Sequence, residues 1–359
     1  MQRIHYIDFL RQVAIYYMFF FHTVLVLLPP EQIKGTLGCF FDIVPLDAAL
    51  FLFLAGFSLT LSLGKHTELS AFRFLQKKIK RGLLLILAAA FLFFIEFGIQ
   101  LPDMLISSGI LNTIGILCIA GGLVLVFSGR KTILALLIAV LCLATFLGEY
   151  FMIFRVPFNW GYEPWSPTII FGFIGIFCGL FFKNGNKPAA QKNDRTLALV
   201  LGAAGLILVV FFIFNGGILD TLIHGRYVIK RNFSTATTLP YLFGAAGGAA
   251  PAASFAATVW NYRLSAFLLS LGTVLLLFAA SFFLEPLLKK YIPHKVFLPG
   301  AHALSNYFFH LLVLSIIVIL AGEEGFSVAV ALLVLAALYV GSYLLSFGIQ
   351  YIKARRAGM

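Results

Sequence analysis

Residues 7–28 read IDFLRQVAIYYMFFFHTVLVLL. A helix needs about 20 predominantly apolar residues to cross a bilayer, and this stretch supplies them. It nevertheless carries Asp8, Arg11 and His22. Ionisable groups in a span cost roughly 2.5–3.5 kcal/mol each on insertion scales, so they are read as functional. A helix rises about 1.5 Å and turns about 100° per residue, so Arg11 and His22 share nearly one face, roughly 16 Å apart along the axis.

Composition agrees with a chain built of such stretches. Its 359 residues are 61% hydrophobic and 11% charged, whereas a soluble domain is nearer a quarter charged. The mean hydropathy is +1.00. The expected fold is therefore an all-α polytopic membrane protein with no room for a sizeable soluble domain. The net charge of +12 would suggest a nucleic-acid partner in a soluble protein. Here the Lys and Arg fall in alternate loops, so membrane lipid is expected instead and nucleic acid is not. Of the four cysteines, Cys118, Cys142 and Cys178 sit in apolar stretches and Cys39 sits in a loop. No disulfide framework or metal-ligand spacing appears, and no metal is expected. The N-terminus lacks the short apolar core and small-residue cleavage site of a signal peptide, so the first helix is expected to be retained.

Ten stretches read as spans: about 7–28, 45–63, 81–100, 109–127, 131–149, 167–183, 196–214, 264–284, 299–321 and 327–350. Most of the 26 Lys and Arg then fall on one side, in 64–80, 130–131, 183–195, 289–295 and the C-terminal tail. Cytoplasmic loops concentrate Lys and Arg, which puts both termini in the cytoplasm. Residues 236–258, ATTLPYLFGAAGGAAPAASFAAT, are apolar but rich in Gly, Ala and Pro. An eleventh crossing there would invert the charge bias downstream. Two readings stay open: a re-entrant segment, and an outer loop lying at the surface. The chain reads as one integral-membrane domain over 1–359. Its parts are 1–183, which carries the polar signature, a variable span and long outer loop over 184–263, and C-terminal helices over 264–359.

Topology gives depths. Asp8 and Arg11 fall near the cytoplasmic surface, and His22 falls in the outer half. Asp47 starts the second span at its outer end, Glu96 and Gln100 end the third, and Asn112 starts the fourth. His22, Asp47, Glu96 and Asn112 could line one outward-facing pocket, and Gln100 is a further substrate-pocket candidate beside Glu96. In the ninth span, His302, Asn306 and His310 follow an i, i+4, i+8 stripe, with His310 near the midplane. Asn306 and His310 join the substrate-pocket candidates.

Each residue has a structural alternative. Arg11 can snorkel beside Asp8 as an anchor pair. Asp47 can cap its helix. Asn112 can be interhelical glue. Glu96 can be solvated near the interface. FLAGFSL reads as small-residue helix packing through Gly56 and Ser58, since it lacks the second Gly of a nucleophile elbow. A neutral imidazole in hydrocarbon still needs partners, which leaves His22 the hardest to explain structurally.

An enzyme joining a cytoplasmic donor to an outer acceptor needs an anion binder low down and a base higher up. Acyl-CoA fits that geometry. Its phosphates would bind Arg11, Lys80 and Arg81 at the cytoplasmic mouth. His22 could take the acceptor's proton as it attacks the thioester, with Asp47 orienting the imidazole and Asn112 donating to the oxyanion. A covalent acyl-histidine is the other route.

The spacing RQVAIYYMFFFH resembles the Arg-x10-His signature of transmembrane acyltransferases. Together with DAALFLFLAGFSLTLSL, KIKRGLLLI, GILNTIGIL and ALSNYFFHLL, it resembles the superfamily of heparan-α-glucosaminide N-acetyltransferase and the bacterial acyltransferase-3 proteins. GILNTIG and LFLAGFS lean towards the first branch. The resemblance implies cytoplasmic acyl-CoA, in the simplest case acetyl-CoA, and an extracytoplasmic carbohydrate or glycan acceptor. It implies catalysis at His22 and donor binding near Arg11. A bacterial inner-membrane protein that acetylates an exported glycan is the expectation, and a homodimer is compatible with it. The alternative is a proton-coupled transporter or flippase of a glycan or lipid-linked substrate that uses the same buried ions.

Overall fold

The computed structural model describes residues 4–28, 46–64, 71–99, 101, 103–106, 108–127, 131–151, 168–182, 188–214, 264–321, 326–356 and 358. Every regular element among them is helical. In chain order these are α1 His5–Leu27, α2 Leu46–Gly64, α3 Ala71–Phe97, the short α4 Asp103–Ile106, α5 Ile110–Phe127, α6 Lys131–Phe151, α7 Ile169–Gly179, α8 Pro188–Phe214 and α9 Leu264–Tyr291. A 3-10 turn, His294–Phe297, leads into α10 Leu298–Ala301, α11 Ala303–Ala321 and α12 Val328–Arg356. Residues 236–258 and Gln100 lie outside the described residues.

A helix occurs in each of the ten stretches expected to span. By length and apolarity, four helices among the described residues can cross a membrane: Ile110–Phe127, Lys192–Phe211, Phe267–Tyr291 and Val328–Arg355. The pair His294–Ala301 and Ala303–Val318, bent by 65°, makes a fifth when taken as one span. Outward faces carry apolar stripes. Leu84, Leu87 and Phe91 on α3 are 66%, 64% and 60% exposed, and Leu333 and Leu344 on α12 are 70% and 64% exposed. Such stripes are unfavourable in water and suit hydrocarbon, as in an integral membrane protein.

One element starts earlier than expected. The loop read over 64–80 is helical from Ala71, and α3 runs on from it. The reason is local: AFRFLQKKIK holds neither Gly nor Pro. Phe74, Leu75 and Lys78 turn inward, while Arg73, Gln76, Lys77, Lys80 and Arg81 face out. The basic residues occupy the polar face of an amphipathic turn. α3 stops at Gly98, whose φ of +75° is the left-handed conformation that ends helices, with its N–H donating to the Phe94 carbonyl at 2.9 Å.

The described residues form two compact units. The first holds α1, Leu46–Leu50, α8 from Ala198, α9 from Gly272, and the described residues after α9. The second holds the rest of α2, α3 to α7, the start of α8, and the start of α9. In the second unit, α2 and α7 meet backbone to backbone. A Cβ on Gly56 would strike the Gly172 carbonyl, and one on Gly175 would strike that of Phe53. FLAGFSL is therefore a helix-packing element, with Ser58 Oγ donating to the Leu54 carbonyl one turn back.

In the first unit, α1 packs against α10, α11 and α12. Its sequence suits a helix: Asp8 lies in the first turn, where a carboxylate favours the positive end of the dipole. Leu28 is extended and stands before Pro29, so the helix ends there. The Phe326 N–H donates to the Leu27 carbonyl at 2.7 Å and fixes that end.

Candidate functional site

His22 lies in the penultimate turn of α1. Its Nδ1 is 2.9 Å from Nε2 of His310 on α11. The two rings are near-parallel, with centroids 5.2 Å apart. His310 is fully buried. Phe19, one turn before His22, lies 4.8 Å from the His310 ring, and Tyr307 meets it edge-on at 5.3 Å. Tyr339 of α12 completes the aromatic wall by stacking on Phe19 and donating its hydroxyl to the Tyr16 carbonyl at 3.2 Å.

His310 is held from below. Its Nδ1 is 3.3 Å from the Asn306 carbonyl oxygen, one turn earlier. The Asn306 side chain is fully buried and donates from Nδ2 to the Pro299 carbonyl and to Ser346 Oγ, each at 2.9 Å. It ties the α10–α11 bend to α12. Pro299 near the start of α10 and the non-helical His302 after it set that bend. The stripe of His302, Asn306 and His310 read from the sequence is present, with all three buried.

The other end of α1 is ionic. Arg11 NH1 lies 3.1 Å from Asp8 Oδ1, and Asp8 Oδ2 lies 3.4 Å from His294 Nε2. His5 meets the His294 ring edge-on at 4.8 Å. Burial pushes the pKa of His5 down, and the neighbouring His294 and Lys289 charges add to the shift. The Arg11–Asp8 anchor pair is thus formed, and it does not preclude an anion from sharing the guanidinium, which carries five donors.

The remaining candidates are distributed as follows. Asn112 in the second unit is buried, and its Nδ2 donates to the Leu105 carbonyl at 2.8 Å and to Ser108 Oγ at 3.0 Å. It ties α4 to the start of α5. Asp47 lies in the first turn of α2 and Glu96 in the last turn of α3, with side chains outside the described residues. Lys80 and Arg81 are exposed on α3.

Sequence reasoning missed Lys78. It is buried beside them, with Nζ 2.7 Å from Ser62 Oγ and 4.9 Å from the centre of the Phe74 ring. The signal was available: Phe74, Lys78 and Gly82 recur at i, i+4, i+8 once the helix starts at Ala71. His294, which bridges α1 to the 3-10 turn, was missed too, because an isolated His in a loop announces nothing.

The family described as heparan-alpha-glucosaminide N-acetyltransferase, catalytic, matches residues 3–215. The chain belongs to that family. It is accordingly a membrane acyltransferase. The family match takes in Arg11, His22, Asp47, Lys80, Arg81, Glu96, Gln100 and Asn112, and ends before Asn306 and His310. Comparison with curated proteins returns no match.

Proposed function

We propose that this acyltransferase moves an acetyl group from cytoplasmic acetyl-CoA to a carbohydrate or glycan acceptor on the opposite side of the membrane. His22 serves as the general base. In this reading the chain is one catalytic domain with ten spans, both termini are cytoplasmic, and the bacterial inner membrane is its location. The observation that supports it is the polarity of α1. An ionic cluster of Asp8, Arg11 and His294 sits at one end, and an imidazole pair sits near the other.

The donor set at the ionic end suits phosphates. A guanidinium and His294 converge on the Asp8 carboxylate, and Lys289 pairs with Glu285 at 3.0 Å, so these cations would exchange a carboxylate for phosphate. Arg11 would hold phosphate there by charge-assisted hydrogen bonds, and Lys80 and Arg81 stay donor-binding candidates from the sequence alone. The acceptor's O–H or N–H gives its proton to His22 as its oxygen or nitrogen bonds to the thioester carbon. The C–S bond then breaks, and His22 returns the proton to the departing thiolate. Glu96 and Gln100 belong to the acceptor side in this reading, and Asp47 is the candidate that the sequence offers for orienting the imidazole. Asn112 would serve the oxyanion by exchanging its bond to Ser108 for one to substrate.

The test is transfer of labelled acetyl from acetyl-CoA by the purified protein in vesicles, with amino sugars and neutral glycans offered as acceptors. Losing a general base costs typically 10²–10⁴-fold, so His22→Ala should lose at least about 100-fold in rate while remaining folded, its melting point lowered only by the lost bond to His310. Undiminished transfer by His22→Ala would remove the base. Absence of acetyl transfer alongside proton-driven movement of a glycan would establish the transporter instead.

A further inference from the structure

We infer that His310 is a positioning residue that fixes the tautomer of His22 and so turns His22 Nε2 into the base. The inference rests on the proposed role of His22. It follows from what each atom in the chain of contacts is able to donate.

The Asn306 carbonyl oxygen only accepts. The His310 Nδ1 that lies 3.3 Å from it must therefore carry the hydrogen. A neutral imidazole has a single N–H, so Nε2 of His310 presents a lone pair. That lone pair faces His22 Nδ1 at 2.9 Å. His22 must donate, and its own hydrogen sits on Nδ1. The lone pair of His22 is left on Nε2, the nitrogen further from His310. One backbone carbonyl thus sets two tautomers in series.

The surroundings keep the series in register. The His310 ring is packed between Phe19 and Tyr307, which blocks the rotation that would reverse its nitrogens. The Asn306 carbonyl is itself placed by the two bonds from its side-chain amide to Pro299 and Ser346. The line runs from α10 and α12 through α11 to α1.

Chemically, His310 does for His22 what a carboxylate does for the histidine of a hydrolase triad: it selects the tautomer and holds the ring. It does so as a neutral group. A buried carboxylate is expensive unless paired, whereas an imidazole that is hydrogen-bonded at both nitrogens is satisfied. When His22 Nε2 takes a proton, the Nδ1–H bond to His310 persists and strengthens, because its donor is now charged. His22 Nδ1 is occupied, so the orienting role that the sequence suggested for Asp47 falls to His310.

Histidine-selective 15N NMR of the protein in lipid vesicles reads the tautomer directly, because protonated and unprotonated ring nitrogens resonate far apart. The wild-type chain should show His22 with its proton on Nδ1, coupled to a His310 nitrogen, and the coupling should vanish in His310→Phe. A wild-type His22 protonated on Nε2 would overturn the inference whatever the activity proves to be. In the transfer assay, His310→Phe should lower kcat by about 100-fold with KM for acetyl-CoA unchanged, since the loss is of base orientation and not of donor binding. His310→Gln, whose amide oxygen can accept from His22 Nδ1–H, should recover at least tenfold of that loss. Equal losses in both variants would reduce His310 to packing and overturn the inference. If the wild-type chain transfers no acetyl group but shows the coupled Nδ1–H, the proposed function fails and the tautomer assignment stands.

Discussion

Gly300 of α10 lies against the carbonyl oxygen of Asp8 on α1, so closely that a Cβ on Gly300 would collide with it. The backbone nitrogen of Gln12 is the next neighbour, at 2.8 Å from the same hypothetical Cβ. These are backbone atoms of a helix and have no rotamer to swing aside. The contact seats the ionic end of α1 on the chain just before α11, and through it sets the relation of α1 to α11.

Gly300→Ala should therefore cost stability, about 1–3 kcal/mol, the usual range for overpacking against atoms that cannot move. The control is Gly348→Ala on α12, where a Cβ meets nothing within 4 Å. There the helical preference of Ala over Gly should leave stability unchanged or raise it by up to about 1 kcal/mol. Thermal unfolding of both variants in the same detergent checks the pair. Equal midpoints would mean that α1 slides freely on α10.

Arg11→Gln separates the two readings of the guanidinium. If Arg11 holds the donor's phosphate, losing a charge-assisted hydrogen bond worth roughly 1.5–3 kcal/mol should raise KM for acetyl-CoA by about 10–100-fold and leave kcat nearly intact. If Arg11 only anchors Asp8, which also contacts His294, KM should stay within twofold. Steady-state kinetics with acetyl-CoA as the varied substrate decides it.

Acid should weaken this end of the molecule through His5. Burial, reinforced by His294 and Lys289, holds its pKa below the ordinary 6.5, while Glu285 and Asp8 oppose the shift. The unfolded chain then binds the proton more readily than the folded one, so stability rises with pH across this window. The contribution is fully present above pH 6.5 and is lost as pH falls through the lowered folded value. Melting points measured from about pH 7.5 down to about pH 5 should fall less steeply for His5→Asn than for the wild type. Parallel curves would assign the acid sensitivity to other groups.

Much of this was legible in the sequence, and the reasons are particular. The eleven-residue interval between Arg11 and His22 needs only helical geometry, and the ends of α1 follow from Asp8 and Pro29. The stripe at 302, 306 and 310 likewise needs only its period. The pairing of His22 with His310 was not legible, because it joins residues 288 positions apart and periodicity says nothing about which helices meet. The start of α3 was misjudged because a run of Lys and Arg reads as a loop when charge is weighed before amphipathicity. Lys78 was lost with it, since its burial shows only once Phe74 and Gly82 are placed on the same face. Asp47 and Glu96 keep the places on α2 and α3 expected from the sequence, in the first turn of one helix and the last turn of the other.

The family match stops at residue 215, and His22 leans on a ring at position 310. On the proposed mechanism, a gene fragment ending with the matched segment would still encode His22, but not the ring that selects which of its nitrogens is basic. Swapping N-terminal halves between relatives would carry the same penalty unless the receiving C-terminal helices brought an acceptor to the same height. For anyone building chimeras, the smallest exchangeable piece here is two distant stretches of chain taken together.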